Sequence, residues 1–262
     1  MCIKWCGAGI NRLFTGSVDK CLHAYDLGSP NTSDTKQMHT IGQTESKTAD
    51  EIKGDKEGNI IGHSGFIMDL LPIADKDLIA TASLDSNICT WSMTTMQGYR
   101  IHKKQKKAIY SLDWCEDPYR LILSAGLDHD IYIWNPSVPG NIFSLRGHNH
   151  SLTGVKWLKG THQIVSADIS GMFRIWDVRT FTTVQTFNCP LNEINCFAVT
   201  SPPKRVVAGG RRLVFYDYNE PKNNHLADDQ ACLFILYNPV FYTFITAHPK
   251  CIKIWDATNG TL

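Results

Sequence analysis

Residues 147–179, GHNHSLTGVKWLKGTHQIVSADISGMFRIWDVR, open on Gly-His and close on Trp-Asp before a final Val-Arg. Three apolar segments lie inside, LTGVKWL, QIVSA and FRIWDV, separated by Lys159-Gly160 and Ser170-Gly171. Strand-length segments broken by turn-formers predict an antiparallel meander. One meander cannot bury both of its faces, so the stretch requires neighbours of its own kind.

Those neighbours are visible as a period. The aromatic-plus-polar pair that closes the third segment recurs as Tyr25-Asp26, Trp91-Ser92, Trp134-Asn135, Trp176-Asp177, Tyr216-Asp217 and Trp255-Asp256. By subtraction the last four intervals are 43, 42, 40 and 39 residues, and a fixed spacing of this size is the signature of a repeat architecture. The first interval is 66 residues, and its excess falls in GQTESKTADEIKGDKEGN, residues 42–59. That polar, charge-mixed insertion lacks any strand pattern and is expected to be a flexible loop. An Asp stands six residues before the aromatic at Asp19, Asp85 and Asp128, and Gly-His precedes the Trp at Gly62-His63 and Gly147-His148.

In these residues the chain resembles the WD-repeat β-propellers, and the resemblance runs over the whole length outside the insertion. It implies an all-β fold of four-stranded antiparallel blades around a central channel, a single propeller over residues 1–262 with six repeats of an incomplete seven-bladed ring. The chain is expected to be a piece of a longer protein, or a ring completed by strands beyond it. Across 126–187 it is also loosely similar to long WD-repeat proteins with tandem propellers, some associated with cilia. The resemblance further implies a structural network of Gly-His, Ser/Thr, Asp and Trp. The second repeat carries all four as His63, Ser83, Asp85 and Trp91. In the fourth the set is His148, Ser166, Asp168 and Trp176, with Asp168 at the position of Ser83, so its wiring is expected to differ.

The same side chains invite a catalytic reading. A buried indole N–H needs a partner that a hydroxyl and an imidazole can supply. No GxSxG elbow or oxyanion loop accompanies Ser83, His63 and Asp85, so a structural role outweighs a hydrolytic triad. Asp128-His129-Asp130 and His148-Asn149-His150 fall in turns and are read as structural, so no bound metal and no cofactor are expected.

Composition bounds the rest. Of 262 residues, 43% are hydrophobic and 19% charged, a globular composition with a net charge of +1 that leaves any electrostatic partner to a local patch. Nine cysteines, an odd number without a CxxC pair, and an N-terminus without a signal pattern point to a cytoplasmic setting, and the likeness to tandem-propeller proteins implies cytoskeleton or cilium as the finer expectation. The apolar run 231–247 is broken by Asn238-Pro239 and reads as two buried strands, not a membrane span.

Alternating rims then sort the loops. One rim takes Lys103, Lys104, Lys106 and Lys107 from the densest basic run, with Arg211 and Arg212; the other takes Asp75, Asp77, Glu116 and Asp117. The function expected is a non-enzymatic scaffold presenting loops to proteins or peptides. Two alternatives stand beside it. Asp177 and Arg179 resemble the WDxR motif of substrate receptors for cullin-RING ubiquitin ligases, and the basic rim offers a site for anionic lipid or nucleic acid, while the lysine run itself reads first as a docking site for an acidic protein segment.

Overall fold

The computed structural model describes residues 2–6, 11–27, 36–41, 62–103, 105–138, 140–191, 193–200, 205–217, 225–258 and 260–261. The 42–59 insertion and Lys104 lie outside them. Two compact units divide the chain, residues 1–144 and 145–262.

The first unit holds three blades. Strands β1 (Cys2–Cys6), β2 (Arg12–Gly16), β3 (Leu22–Asp26) and β4 (Lys36–Ile41) pair in chain order, as do β5 (Ile67–Ile73), β6 (Leu78–Ser83), β7 (Asn87–Ser92) and β8 (Gly98–Lys103). The third blade is β9 (Ile109–Cys115), β10 (Leu121–Gly126), β11 (Ile131–Trp134) and β12 (Asn141–Leu145). The second unit continues with β13 (Leu152–Leu158), β14 (Gln163–Asp168), β15 (Met172–Asp177) and β16 (Thr182–Asn188), then β17 (Cys196–Thr200), β18 (Arg205–Gly209), β19 (Leu213–Asp217) and β20 (His225–Asp228). A sixth sheet has three strands among the described residues, β21 (Phe234–Asn238), β22 (Thr243–Ala247) and β23 (Ile252–Asp256). Every pairing is antiparallel, from Cys2↔Gly16 in the first blade to Thr243↔Asp256 in the last. The fold is a β-propeller of WD-repeat blades.

Residue choice explains the layering. The second strand of a blade is packed on both faces, so it reads as continuous small and apolar residues and not as an alternation. LIATAS in β6 is buried at every position. Fourth strands have an outer face and alternate, as TTVQTFN does in β16. Apolar surfaces of adjacent blades close on each other: Phe14, Leu22, Leu70, Ile79 and Trp91 form one core, and Ile73, Ala80, Ile88, Leu112 and Trp134 another. In the second unit Phe173, Phe187 and Tyr216 stack between the fourth and fifth blades, and Phe215, Phe244 and Trp255 meet between the fifth and sixth.

The run 231–247 forms two strands as its pattern predicts, but their burial is a correction. Phe234 and Leu236 on β21 are exposed, the turn between the strands carries Val240 and Phe241 at 75% and 74% exposure, and Ile252 and Ile254 on β23 are exposed too. Alternation along β21, with Ile235 buried between two exposed neighbours, shows the cause. One face packs on the fifth blade and the described residues place nothing on the other.

Candidate functional site

Each tryptophan that closes a third strand has its indole tied to a hydroxyl in its own blade's second strand. Trp91 Nε1 donates to Thr81 Oγ1 at 3.0 Å, Trp134 Nε1 to Ser124 Oγ at 2.8 Å, Trp176 Nε1 to Ser166 Oγ at 2.8 Å and Trp255 Nε1 to Thr246 Oγ1 at 2.8 Å. The hydroxyl stands ten residues before the Trp in three blades and nine in the last. That spacing puts the two side chains across the β6–β7 pairing on one face, with Ile79 directly opposite Trp91.

A second group completes each network. His63 places Nε2 2.6 Å from Thr81 Oγ1 and Nδ1 2.9 Å from Asp85 Oδ2, and His148 places Nε2 2.7 Å from Ser166 Oγ and Nδ1 2.8 Å from Asp168 Oδ2. In the third blade Ser124 Oγ donates to Gln105 Oε1 at 2.9 Å, so Gln105 fills the histidine's place. In the sixth His248, from the turn after β22, supplies Nε2 to Thr246 Oγ1 at 2.9 Å.

Against the sequence-based expectation this relocates Ser83. Its Oγ accepts from the Asp85 backbone N–H at 3.2 Å and takes no part in holding Trp91; Thr81 does. Strand register is the reason: both residues lie on one face of β6, but Trp91 pairs with Ile79, so Thr81 is its diagonal neighbour and Ser83 lies two residues farther along. The fourth blade differs from the second less than its sequence suggests. Its hydroxyl is at the same offset, and only the carboxylate moves, from the turn residue Asp85 to the strand-end residue Asp168. The offset of ten residues was present in the sequence as Thr81, Ser124 and Ser166, and comparing those three would have found it.

The Gly-His pair has a backbone cause. Gly62 and Gly147 adopt φ of 143° and 154°, a region that side chains avoid, and a Cβ on Gly147 would meet the Trp176 ring at 3.3 Å. Glycine lets the histidine fold back over the tryptophan.

Burial disfavours charge on His63, but the neighbouring Cys89 sulfur and the Asp85 carboxylate outweigh it and raise the pKa above the ordinary imidazole value. Burial likewise works to raise the Asp85 and Asp168 pKa values, and hydrogen bonds from His63 in one case, and from Ser170 and His148 in the other, hold both below the usual carboxylate range. These trios are buried with every polar atom engaged by a structural neighbour, which is the opposite of an exposed nucleophile beside a free base. Among the described residues no cluster of His, Cys, Asp or Glu has the arrangement of a metal site, and no helix is long and apolar enough to cross a membrane.

The loops divide between two rims, as hydrogen bonds show. Lys106 N, between blades, reaches Asp128 Oδ2 in a turn after a second strand, and His63 reaches Asp85 in the same manner. On the opposite rim Arg120 joins Asp117 at 2.6 Å and Asp75 at 4.0 Å, so that acidic edge carries its own cation. Lys103, Lys106 and Lys107 are exposed. In the second unit Arg211 stands 3.5 Å from Glu193 and Arg212 3.3 Å from Asp229.

Asp177 and Arg179 close on each other. Arg179 Nη2 lies 2.6 Å from Asp177 Oδ2, and the Arg179 backbone N–H donates to Oδ1 at 2.8 Å. The guanidinium hydrogen bond first, and the backbone bond second, take the Asp177 pKa down to about 2. Arg179→Ala is expected to return it toward the ordinary value near 4. A carboxyl-carbon NMR titration reads this directly, and an unmoved Asp177 would show that another group holds the carboxylate.

This pattern of blades, each pinned by an indole, a hydroxyl and an imidazole or amide, defines a WD-repeat propeller. The WD domain, G-beta repeat (WD40) family model matches residues 54–92, 94–135 and 140–177. Propellers of this family generally act as protein-interaction scaffolds and are typically not enzymes. The chain is similar to cilia- and flagella-associated protein 337 B of Tetrahymena thermophila, 29% identical over 222 residues, covering 82% of this chain and 17% of that protein. Further relatives are nuclear distribution protein nudF of Aspergillus niger, 29% identical over 51% of this chain and 31% of its own length, and the ribosome biogenesis protein WDR12 homolog of Arabidopsis thaliana, 23% identical over 65% and 40%. The chain therefore spans less than half of each of these relatives.

Proposed function

We propose that this chain is a non-enzymatic docking propeller of a ciliary or flagellar assembly, binding an acidic segment of a protein partner through the exposed loop at Lys103, Lys106 and Lys107. The observation that carries the reading is the likeness to a cilia- and flagella-associated protein across 82% of the chain. Two features support it. The serine, threonine, histidine and aspartate groups that resemble catalytic sets are spent on buried tryptophans. The lysine loop leaves the ordered strand β8 and is held at Asp128 by the Lys106 backbone, so its cations are presented by a preformed support and little ordering cost opposes binding.

Proximity labelling by the tagged chain in ciliated cells is the test. Ciliary proteins should be enriched, and Lys103→Glu/Lys106→Glu/Lys107→Glu should reduce their recovery several-fold while the melting temperature stays within a few degrees of wild type. A chain spread evenly through the cell with no ciliary protein enriched removes the ciliary assignment. Ciliary enrichment that survives charge reversal removes the basic loop as the docking element.

A further inference from the structure

Cys196 opens β17 and pairs across the sheet with Gly209, the last residue of β18. Cys232 lies just before β21, and its backbone N–H donates to Gly210 O at 2.8 Å. A side chain on Gly209 would meet the Cys232 Cβ at 2.8 Å and the sulfurs of Cys196 and Cys232 at 3.0 Å each. Because glycine leaves that space open, two thiols from adjacent blades converge over one α-carbon. Cys196 Sγ also lies 3.9 Å from the Cys232 carbonyl oxygen, which confirms how closely the two residues are stacked.

The first unit holds the same socket with a different occupant. Cys2 pairs with Gly16, its sulfur is 2.9 Å from the point where a Gly16 Cβ would sit, and it lies 3.9 Å from the Ile67 carbonyl oxygen. There the position of Cys232 is taken by Ile67, whose Cγ2 comes within 2.5 Å of that point. Packing alone is thus satisfied by one cysteine and an isoleucine. A second thiol adds a chemistry that the socket does not need for its shape.

We propose that Cys196 and Cys232 form a two-cysteine oxidation site, in which hydrogen peroxide converts the pair to a disulfide that ties the fifth blade covalently to the sixth. Cys196 is half-buried and Cys232 fully buried, so peroxide meets Cys196 first. Its sulfur attacks one peroxide oxygen, the O–O bond breaks, and the other oxygen leaves as water with the thiol proton. Cys232 then attacks the sulfenic sulfur, the S–O bond breaks, and hydroxide departs and takes up the second thiol proton. Two electrons pass from the sulfurs to the peroxide, and one peroxide gives one disulfide and two waters.

Hydrogen peroxide titration of the purified chain, followed by alkylation and peptide mapping without reductant, tests this. The expected result is a peptide pair joining Cys196 to Cys232, a loss of two titratable thiols and a rise in melting temperature of roughly 5 °C or more, all reversed by reductant. Cys232→Ser should abolish the linked pair and the rise, and Cys251→Ser should leave both intact. If Cys196 and Cys232 remain separately alkylated on unfolding while the exposed Cys251 takes the oxidation, the site is refuted. A linked Cys2 peptide in place of the pair would refute it equally.

Discussion

Thr81→Val should destabilise the first unit by about 3 kcal/mol or more, and Ser83→Ala by about 1 kcal/mol. The hydroxyl of Thr81 has three partners, Trp91 Nε1 at 3.0 Å, His63 Nε2 at 2.6 Å and the Cys89 carbonyl oxygen at 3.2 Å. Its oxygen accepts from the indole, and its single proton serves the carbonyl or the imidazole according to the His63 tautomer. Valine keeps the shape and removes all three bonds, leaving buried polar groups unpaired at roughly 1–3 kcal/mol each. Ser83 Oγ accepts one backbone N–H at the edge of a turn. Urea unfolding of both variants measures the difference, and a Ser83→Ala loss as large as that of Thr81→Val would overturn the assignment.

The Asp85 carboxylate also settles the Nδ1 proton of His63. That nitrogen faces a carboxylate oxygen that can only accept, so Nδ1 donates. The Cys89 sulfur and Asp85 raise the His63 pKa against the opposing effect of burial. The network couples a buried imidazole–carboxylate pair to an indole. Removing one partner of such a pair costs several kcal/mol because it strands the other, so single substitutions at His63 and Asp85 are poor probes of function in this protein.

Blade number, strand order and the buried tryptophans were legible in the sequence because turn chemistry and a period of about 40 residues repeat along the whole chain. The three segments of 147–179 became β13, β14 and β15 within a residue or two. What failed was finer. Ser83 and Thr81 share a face of β6, and which of them reaches the ring is set by the β6–β7 register, which one repeat read by itself does not fix. The exposed faces of β21 and β23 were misread because apolar composition marks a face that wants cover, without showing whether cover is supplied. Gln105 and His248 were missed because each replaces the expected imidazole from a different offset, and only spatial convergence identifies them.

Lowering the pH from 7.5 to 5 should cost the wild type about 2 kcal/mol more stability than it costs His102→Gln. His102 on β8 is fully buried against Trp134, with ring centroids 5.9 Å apart, and neither ring nitrogen has a partner among the described residues. Burial first, and the Arg100 guanidinium second, push its pKa down to about 4. The unfolded chain binds this proton near pH 6.5 and the folded chain only near 4, so the unfolded state holds more protons between those values. Stability therefore falls as pH drops through that window and is flat above it. His63 has the opposite sign: its raised pKa adds stability that is complete below 6.5 and is lost only in the alkaline range. Asp85 and Asp168, with lowered pKa values, lose their contribution only below the usual carboxylate range. None of these three slopes within the window, which isolates His102. Urea midpoints for both chains at the two pH values decide it, and equal losses would mean that the His102 ring is hydrated or paired in solution.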